Sequence, residues 1–146
     1  MSAFLEESLG WIKTFLDYLT VERGLAANTI EAYGRDLKSY ANFLDRARCR
    51  RWAEVQRDQI LRYMLAEKKR GLQGVSLARR LVAIKLFHRF LLRERMLDED
   101  VTSVLESPKL WKRLPHHLSV SEAENLLRMP AGDDRISMRD RAMLEC

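Results

Sequence analysis

Apolar residues recur at spacings of three and four in four long stretches, the pattern of amphipathic helices. The first stretch runs from about Phe4 to Arg23, with Leu5, Leu9, Ile12, Leu16 and Leu19 along one side, and Gly24 ends it. The second opens at Asn28 and carries Ile30, Tyr33, Leu37, Tyr40 and Leu44. Asn28 stands where a capping residue belongs, and Glu31, three residues on, stands where its capping-box partner belongs. The third lies near Glu54 to Arg70, with Ile60, Met64 and Leu65 inward and Gly71 behind it. The fourth starts at Ser76, a good N-cap, and runs to about Arg95. Period-2 alternation is absent and β-branched residues are scattered, so helices carry the fold.

After Leu97 the pattern changes. The stretch DEDVTSVLESPKLWKRLPHH has two prolines, mixed charge and no clear period, and reads as a connector. A new helix start follows at Ser119, with Glu122 three residues on, and continues through AENLLRM. PAGDD breaks it, and ISMRDRAMLEC begins another. The expected organisation is a helical bundle over residues 1–107, a linker over 108–118, and two further helices over 119–146.

Composition narrows the function classes. Of the 146 residues 47% are apolar, enough for a core, while 32% charge with three prolines and six glycines argues against a linker or disordered tail. The N-terminus MSAFLEESLG is acidic and lacks the basic lead-in of a signal peptide. No apolar run approaches the ~20 residues of a membrane span. Cys49 and Cys146 show no metal-ligand spacing and read as reduced thiols of a cytoplasmic protein.

The net charge of +5 hides an asymmetry. Residues 1–45 carry 4 basic and 7 acidic side chains, net −3; residues 46–95 carry 15 and 4, net +11; residues 96–146 carry 7 and 10, net −3. A positive middle between acidic flanks is the footprint of a polyanion-binding surface. The alternative is a solvated basic face with no partner, or one that meets an acidic protein.

Candidate chemistry follows the same lead. His88 falls on the packed side of the fourth helix, near Leu81, Ile84 and Leu91, and His116 and His117 lie in the connector with no third ligand at metal spacing. No glycine-rich phosphate loop, no Ser/His/Asp set and no acidic pair on a shared face is found. Lys85, Arg89 and Arg93 are four apart and form one cationic stripe. Arg79 and Arg80 sit near a helix start, where the dipole also favours phosphate. Arg93 and Arg95 suit a snorkelling role equally well. On the second helix, Gly34, Arg35 and Lys38 turn away from the core side of Tyr33, Leu37 and Tyr40. Without a Cβ, Gly34 lets another backbone come close, although a merely tolerated glycine explains it as well. Asn28 and Thr29 offer short polar side chains and free amides for a phosphate or a base edge.

Those stretches also carry a resemblance. GLAANTIEAYGRDLKSYANFL, Gly24 to Leu44, resembles the N-terminal core-binding signature of the tyrosine recombinases, the phage-integrase-like family. SLARRLVAIKLFHRFLLRE, Ser76 to Glu94, resembles the matching later helix, SPKLWKRLPHHLSVSEAENLL the interdomain segment, and RDRAMLEC the first catalytic-domain helix. The resemblance spans essentially the whole chain. It is closest to the bacterial Xer type, and nearer XerD than XerC.

The resemblance implies an all-α SAM-like core-binding domain, followed by the truncated start of an α/β catalytic domain. It implies sequence-specific binding of a double-stranded recombination site, through the second and fourth helices in or across the major groove. It also implies a XerC-like partner recombinase and a DNA translocase acting with the intact protein, in resolution of chromosome dimers, and no metal or energy cofactor. An integrase of a phage or transposon is the alternative within the family. The DNA-binding candidates are Asn28, Thr29, Arg35, Lys38, Arg79, Arg80, Lys85 and Arg89, with Lys109, Lys112 and Arg113 of the linker as further phosphate contacts. Catalysis is not expected of these residues. The family's catalytic arginine, lysine, His-x-x-Arg motif and tyrosine nucleophile fall beyond Cys146, and Arg139 and Arg141 belong to the helix before that arginine. Two departures stand out: Val82, where the family often has serine, and Gly34, where a larger and often basic residue is common.

Overall fold

A computed structural model describes residues 2–105, 119–130 and 132–145. They are helical, with no strand among the described residues. α1 spans Ala3–Arg23, α2 Ala27–Arg46, α3 Arg57–Lys69, α4 Gly74–Arg93, α5 Val120–Arg128 and α6 Arg135–Glu145, with one 3₁₀ turn at Trp52–Glu54. The chain divides into two compact units, residues 1–110 and 111–146.

In the first unit α1 packs chiefly on α2, and α4 lies against α2, α3 and α1. The core is aromatic. Phe15 meets Phe87 at 5.3 Å between ring centres and Phe90 at 5.4 Å, Tyr40 meets Tyr63 at 5.2 Å, and Trp52 stands edge-on to Phe87 at 5.1 Å. The buried side of α1 is Phe4, Ser8, Ile12, Phe15 and Leu19. Leu5, Leu9 and Leu16, expected at the centre of that side, lie half-buried on its edge. On α3 the buried residues are Ile60, Tyr63 and Glu67, so Met64 is only half-buried and Leu65 is exposed. In both helices the ring side chains took the centre of the apolar arc and turned it by a fraction of a turn, because they bury the most area.

Helix starts also differ from expectation. α2 begins one turn before Glu31, with Ala26 as its N-cap and no side-chain cap, so Asn28 lies inside the helix rather than capping it. The amides of Thr29 and Ile30 reach the Ala26 carbonyl at 2.8 and 3.2 Å. α4 likewise starts from Gln73 without a side-chain cap, three residues before Ser76. α3 starts at Arg57, and the expected start at Glu54 is instead the end of the 3₁₀ turn. Gly34 is buried, and a Cβ there would stand 3.0 Å from Leu16 Cδ1 of α1. Its bare backbone therefore serves the close contact of α1 with α2, not an outside partner.

Helix ends use one device four times, with Gly71 after α3 at φ 88° as one of them. Gly24 closes α1 at φ 58°, Arg48 follows α2 at φ 63°, and Arg95 follows α4 at φ 59°. After α2 the Cys49 amide returns to the Leu44 carbonyl at 3.0 Å, and after α4 the Met96 amide returns to Leu91 at 2.9 Å, the Schellman pattern. A side chain in this left-handed conformation costs about 1–2 kcal/mol, part of which glycine returns as unfolded-state freedom. Arg48→Gly and Arg95→Gly are each expected to raise stability by about 0.5–1 kcal/mol in urea unfolding. A loss of stability in both would show that the arginine side chains outweigh the backbone strain.

In the second unit Ser119 caps α5: its Oγ accepts from the Glu122 amide at 3.3 Å, and Glu122 Oε2 accepts from the Ser119 amide at 2.8 Å. This is the expected capping box. α5 and α6 expose Leu126, Leu127, Met129, Met143 and Leu144. No described helix is long and apolar enough to cross a membrane.

Candidate nucleic-acid interface

α2 buries Ala32, Tyr33, Gly34, Asp36, Leu37, Tyr40, Ala41 and Leu44. The opposite face is therefore open, and Asn28, Glu31, Arg35 and Lys38 share it at spacings of three and four. The Arg35 side chain is 71% exposed and approaches Glu31 only at 3.8 Å, a surface pair of small energy. Lys38 is exposed, and its carbonyl accepts from Asn42 Nδ2 at 2.7 Å. Asn28 is exposed and Thr29 half-buried beside the helix start. No acidic residue occupies the first turn of α2, so nothing local offsets its positive end.

Arg79 lies at the seam of α2 and α4. Its Nε and Nη2 donate to the two carboxylate oxygens of Asp36 at 3.0 and 3.3 Å, a bidentate fork, while its side chain stays 43% exposed. The hydrogen bond that Arg79 donates to Asp36 holds the guanidinium above its ordinary pKa. Arg80 has turned the other way. Its side chain is 11% exposed, its Nε donates to Asp36 Oδ1 at 3.1 Å, and its Nη1 donates to Tyr63 Oη at 3.1 Å and to Glu67. Glu67 also accepts from Arg70 Nη1 at 3.0 Å. One buried network thus ties α2, α3 and α4 together, and Arg80 is its centre. The expectation that Arg80 faces a polyanion with Arg79 gives way to this geometry: two buried carboxylates claim it.

The stripe on α4 also divides. Lys85 is half-buried, and its Nζ donates to the Leu105 carbonyl at 2.8 Å, so it anchors the chain leaving the bundle rather than standing free. The Arg89 side chain is 60% exposed, with Asp100 Oδ2 at 3.6 Å. Arg93 lies over the Tyr18 ring at 4.0 Å and pairs with Glu94 at 3.1 Å, the snorkelling role. Of the candidate cations on the two helices, Arg35, Lys38, Arg79 and Arg89 therefore stay open. Lys109, Lys112 and Arg113, with His116, His117 and Cys146, lie outside the described residues.

Asp36 and Glu67 were missed as participants by reading the cations alone. A signal for both existed. Asp36 sits three residues after Tyr33, and Glu67 follows Ile60 and Tyr63 at spacings of seven and four, so each acid stands in apolar phase and needs a buried cation.

Comparison with known proteins agrees with this architecture. Residues 12–95 match the phage integrase N-terminal SAM-like domain. The chain is 45% identical to tyrosine recombinase XerD of Halalkalibacterium halodurans and 41% identical to XerD of Pseudomonas aeruginosa, in each case over 92% of this chain and 45% of the relative. It is 38% identical to tyrosine recombinase XerC of Herpetosiphon aurantiacus over 92% of this chain and 44% of that protein. The chain therefore spans less than half the length of the curated relatives it matches, and the matched profile is that of the N-terminal domain, not the catalytic one. No solved structure matches it significantly. With the SAM-like profile covering more than half of its residues and Xer proteins aligned along nearly all of it, the chain belongs to the tyrosine recombinase family and carries that family's N-terminal domain.

Proposed function

We propose that this chain binds duplex DNA, as the core-binding part of a Xer-type site-specific recombinase. The observation that carries the reading is the set of open cations, Arg35 and Lys38 on α2, Arg79 at the seam, and Arg89 on α4, beside a helix start with no acid or side-chain cap. Phosphate contacts from such residues fix orientation, while Asn28 and Thr29 are of the types that read base edges. Residues 1–107 form the core-binding domain in this reading, 108–118 the linker, and 119–146 the first helices of the catalytic domain. The natural target is a recombination site shared with a XerC-like partner and served by a DNA translocase, in the cytoplasm. The names of the relatives, XerD and XerC, favour this over an integrase of a mobile element.

Mobility shift of a duplex at several salt concentrations tests it. Each phosphate neutralised contributes on the order of −0.9 to the slope of log affinity against log salt. Arg35→Ala with Lys38→Ala is expected to weaken binding on every sequence and flatten the slope by about 2. Arg62→Ala, on α3 and already paired with Asp58 at 2.8 Å, is expected to leave the slope unchanged. Equal effects of the two variants, or no salt dependence, would overturn the reading and favour a module that meets an acidic protein.

A further inference from the structure

α1 and α4 leave a groove along their C-terminal halves, with a pocket of about 200 Å3 in it. Phe15, Leu19 and Phe90 line it and are buried, while Tyr18 and Leu86 beside them are half-buried. The charged residues of the lining are all arginines: Arg23 from the last turn of α1, and Arg89 and Arg93 from α4. No acid among the described residues lines it. Arg93 is already set in place. Its guanidinium carbon lies 4.0 Å from the centre of the Tyr18 ring and 5.3 Å from that of Phe90, and its Nε and Nη2 donate to Glu94 Oε1 at 3.2 and 3.1 Å. Glu22 acts on it as well. The uncommitted charge is therefore Arg23 and Arg89, one from each helix. Arg89 faces Asp100 only at 3.6 Å, and Arg23 is exposed with no ion pair among the described residues.

Size, apolar lining and charge together constrain what fits. The volume is below the roughly 300 Å3 at which cofactor-sized pockets begin, so one large side chain suits it better than a nucleotide. The apolar lining gains from a hydrocarbon or aromatic body taken out of water. Duplex DNA presents its phosphates without one, because its bases are stacked inside. A cationic ligand is repelled by the arginines. A wholly apolar ligand would desolvate Arg23 and Arg89 and leave them unpaired. The cation type narrows the anion further, since a guanidinium offers parallel N–H donors that match the two oxygens of a carboxylate. Arginine and tyrosine around buried apolar residues is also the composition of an interface hot spot.

We infer that the α1–α4 groove is a docking site for an acidic peptide segment of another protein. One large apolar side chain of the segment sits over Phe15, Leu19 and Phe90, and a neighbouring carboxylate is received by Arg23 and Arg89. The inference does not rest on DNA binding: Arg23 and Arg93 lie outside the set proposed for DNA, and Arg89 is the one residue common to both. The probe is the unlabelled peptide acetyl-Asp-Asp-Phe-Asp-Asp-amide, titrated into the 15N-labelled 146-residue protein. Saturable shifts are expected at the amides of Tyr18, Leu19, Leu86 and Phe90 and at the Nε of Arg23 and Arg89, with the amides of Arg35 and Lys38 unmoved. A peptide with serine for phenylalanine, or with asparagine for aspartate, is expected to bind at least about tenfold more weakly. Arg23→Gln is expected to weaken the first peptide about tenfold, and Arg62→Gln, the same loss of charge on α3, to leave it unchanged. No saturable shift at the groove, or equal binding of the serine peptide, overturns the inference. So does a short DNA duplex that moves the Tyr18 and Arg23 signals, which assigns the groove to nucleic acid. The same shifts appearing on raising the protein concentration alone assign it to a second copy of the chain, and also overturn it. The peptide comparisons use the wild-type protein, so a folding defect in Arg23→Gln leaves the test intact.

Discussion

Replacing Arg80 by alanine is expected to lower the stability of the first unit by about 3 kcal/mol. Removing one member of a buried ion pair costs about 3–5 kcal/mol, because the partner charge stays behind without its counterion. Here both carboxylates keep one arginine: Arg79 still holds Asp36, and Arg70 still holds Glu67. That places the loss at the low end of the range. Tyr63 contributes as well. Burial already pushes the pKa of its hydroxyl up, and without Arg80 its oxygen loses a donor at 3.1 Å. For a domain of roughly 100 residues, a loss of this size lowers Tm by about 15 °C. Arg80→Met keeps most of the stem and removes the charge, so it separates packing from pairing. A loss below about 1 kcal/mol in Arg80→Ala would mean that the network is surplus to the fold. Arg79→Ala, at a half-exposed side chain, is expected to cost clearly less.

The second large effect is a dependence of stability on pH that comes from a single imidazole. Burial pushes the His88 pKa down to about 4, against a weak opposing pull from Asp100. In the unfolded chain a histidine titrates near 6.5. Between those values the unfolded state binds the proton and the folded state does not, so the sign is fixed: stability is complete above the unfolded value and falls as pH drops through 6.5 toward 4. The full difference corresponds to about 3 kcal/mol, and the part lost between pH 7.5 and 5 is about 2 kcal/mol. That window lies above the range in which free carboxylates titrate, so few other groups interfere. Urea unfolding at the two pH values, in the wild type and in His88→Gln, reads the effect as a difference of differences. The wild type is expected to lose about 2 kcal/mol more than the variant. Equal losses would mean that His88 takes its proton within the folded core.

Much of this fold was legible from spacing. The four long helices, the break at Gly24, the capping box at Ser119 and Glu122, and the burial of His88 all follow from local chemistry. What escaped reading has a common cause. Ala26 and Gln73 cap their helices without a side-chain bond, so no residue type announces those starts. The same holds for Lys85. A lysine in a stripe with Arg89 looks solvent-facing until Leu105, twenty residues later, folds back and offers its carbonyl. Arg80 is different, because its phase with Leu77 and Ile84 placed it inward while its neighbour Arg79 drew attention outward. Charge was counted correctly, and the acids that consume part of it were overlooked. Four of the six candidate cations on α2 and α4, Arg35, Lys38, Arg79 and Arg89, remain exposed enough to serve DNA.

The contact at Leu105 has a mechanical consequence. The Leu105 side chain is buried and its carbonyl is held by Lys85, so the segment leaving the bundle is clamped to the middle of α4. Tension arriving from the C-terminal direction enters through that clamp and loads a central helix, not a frayed terminus. Cutting the Lys85 bond lengthens the leash by the few residues between Asp100 and Leu105, a slack that single-molecule stretching can read.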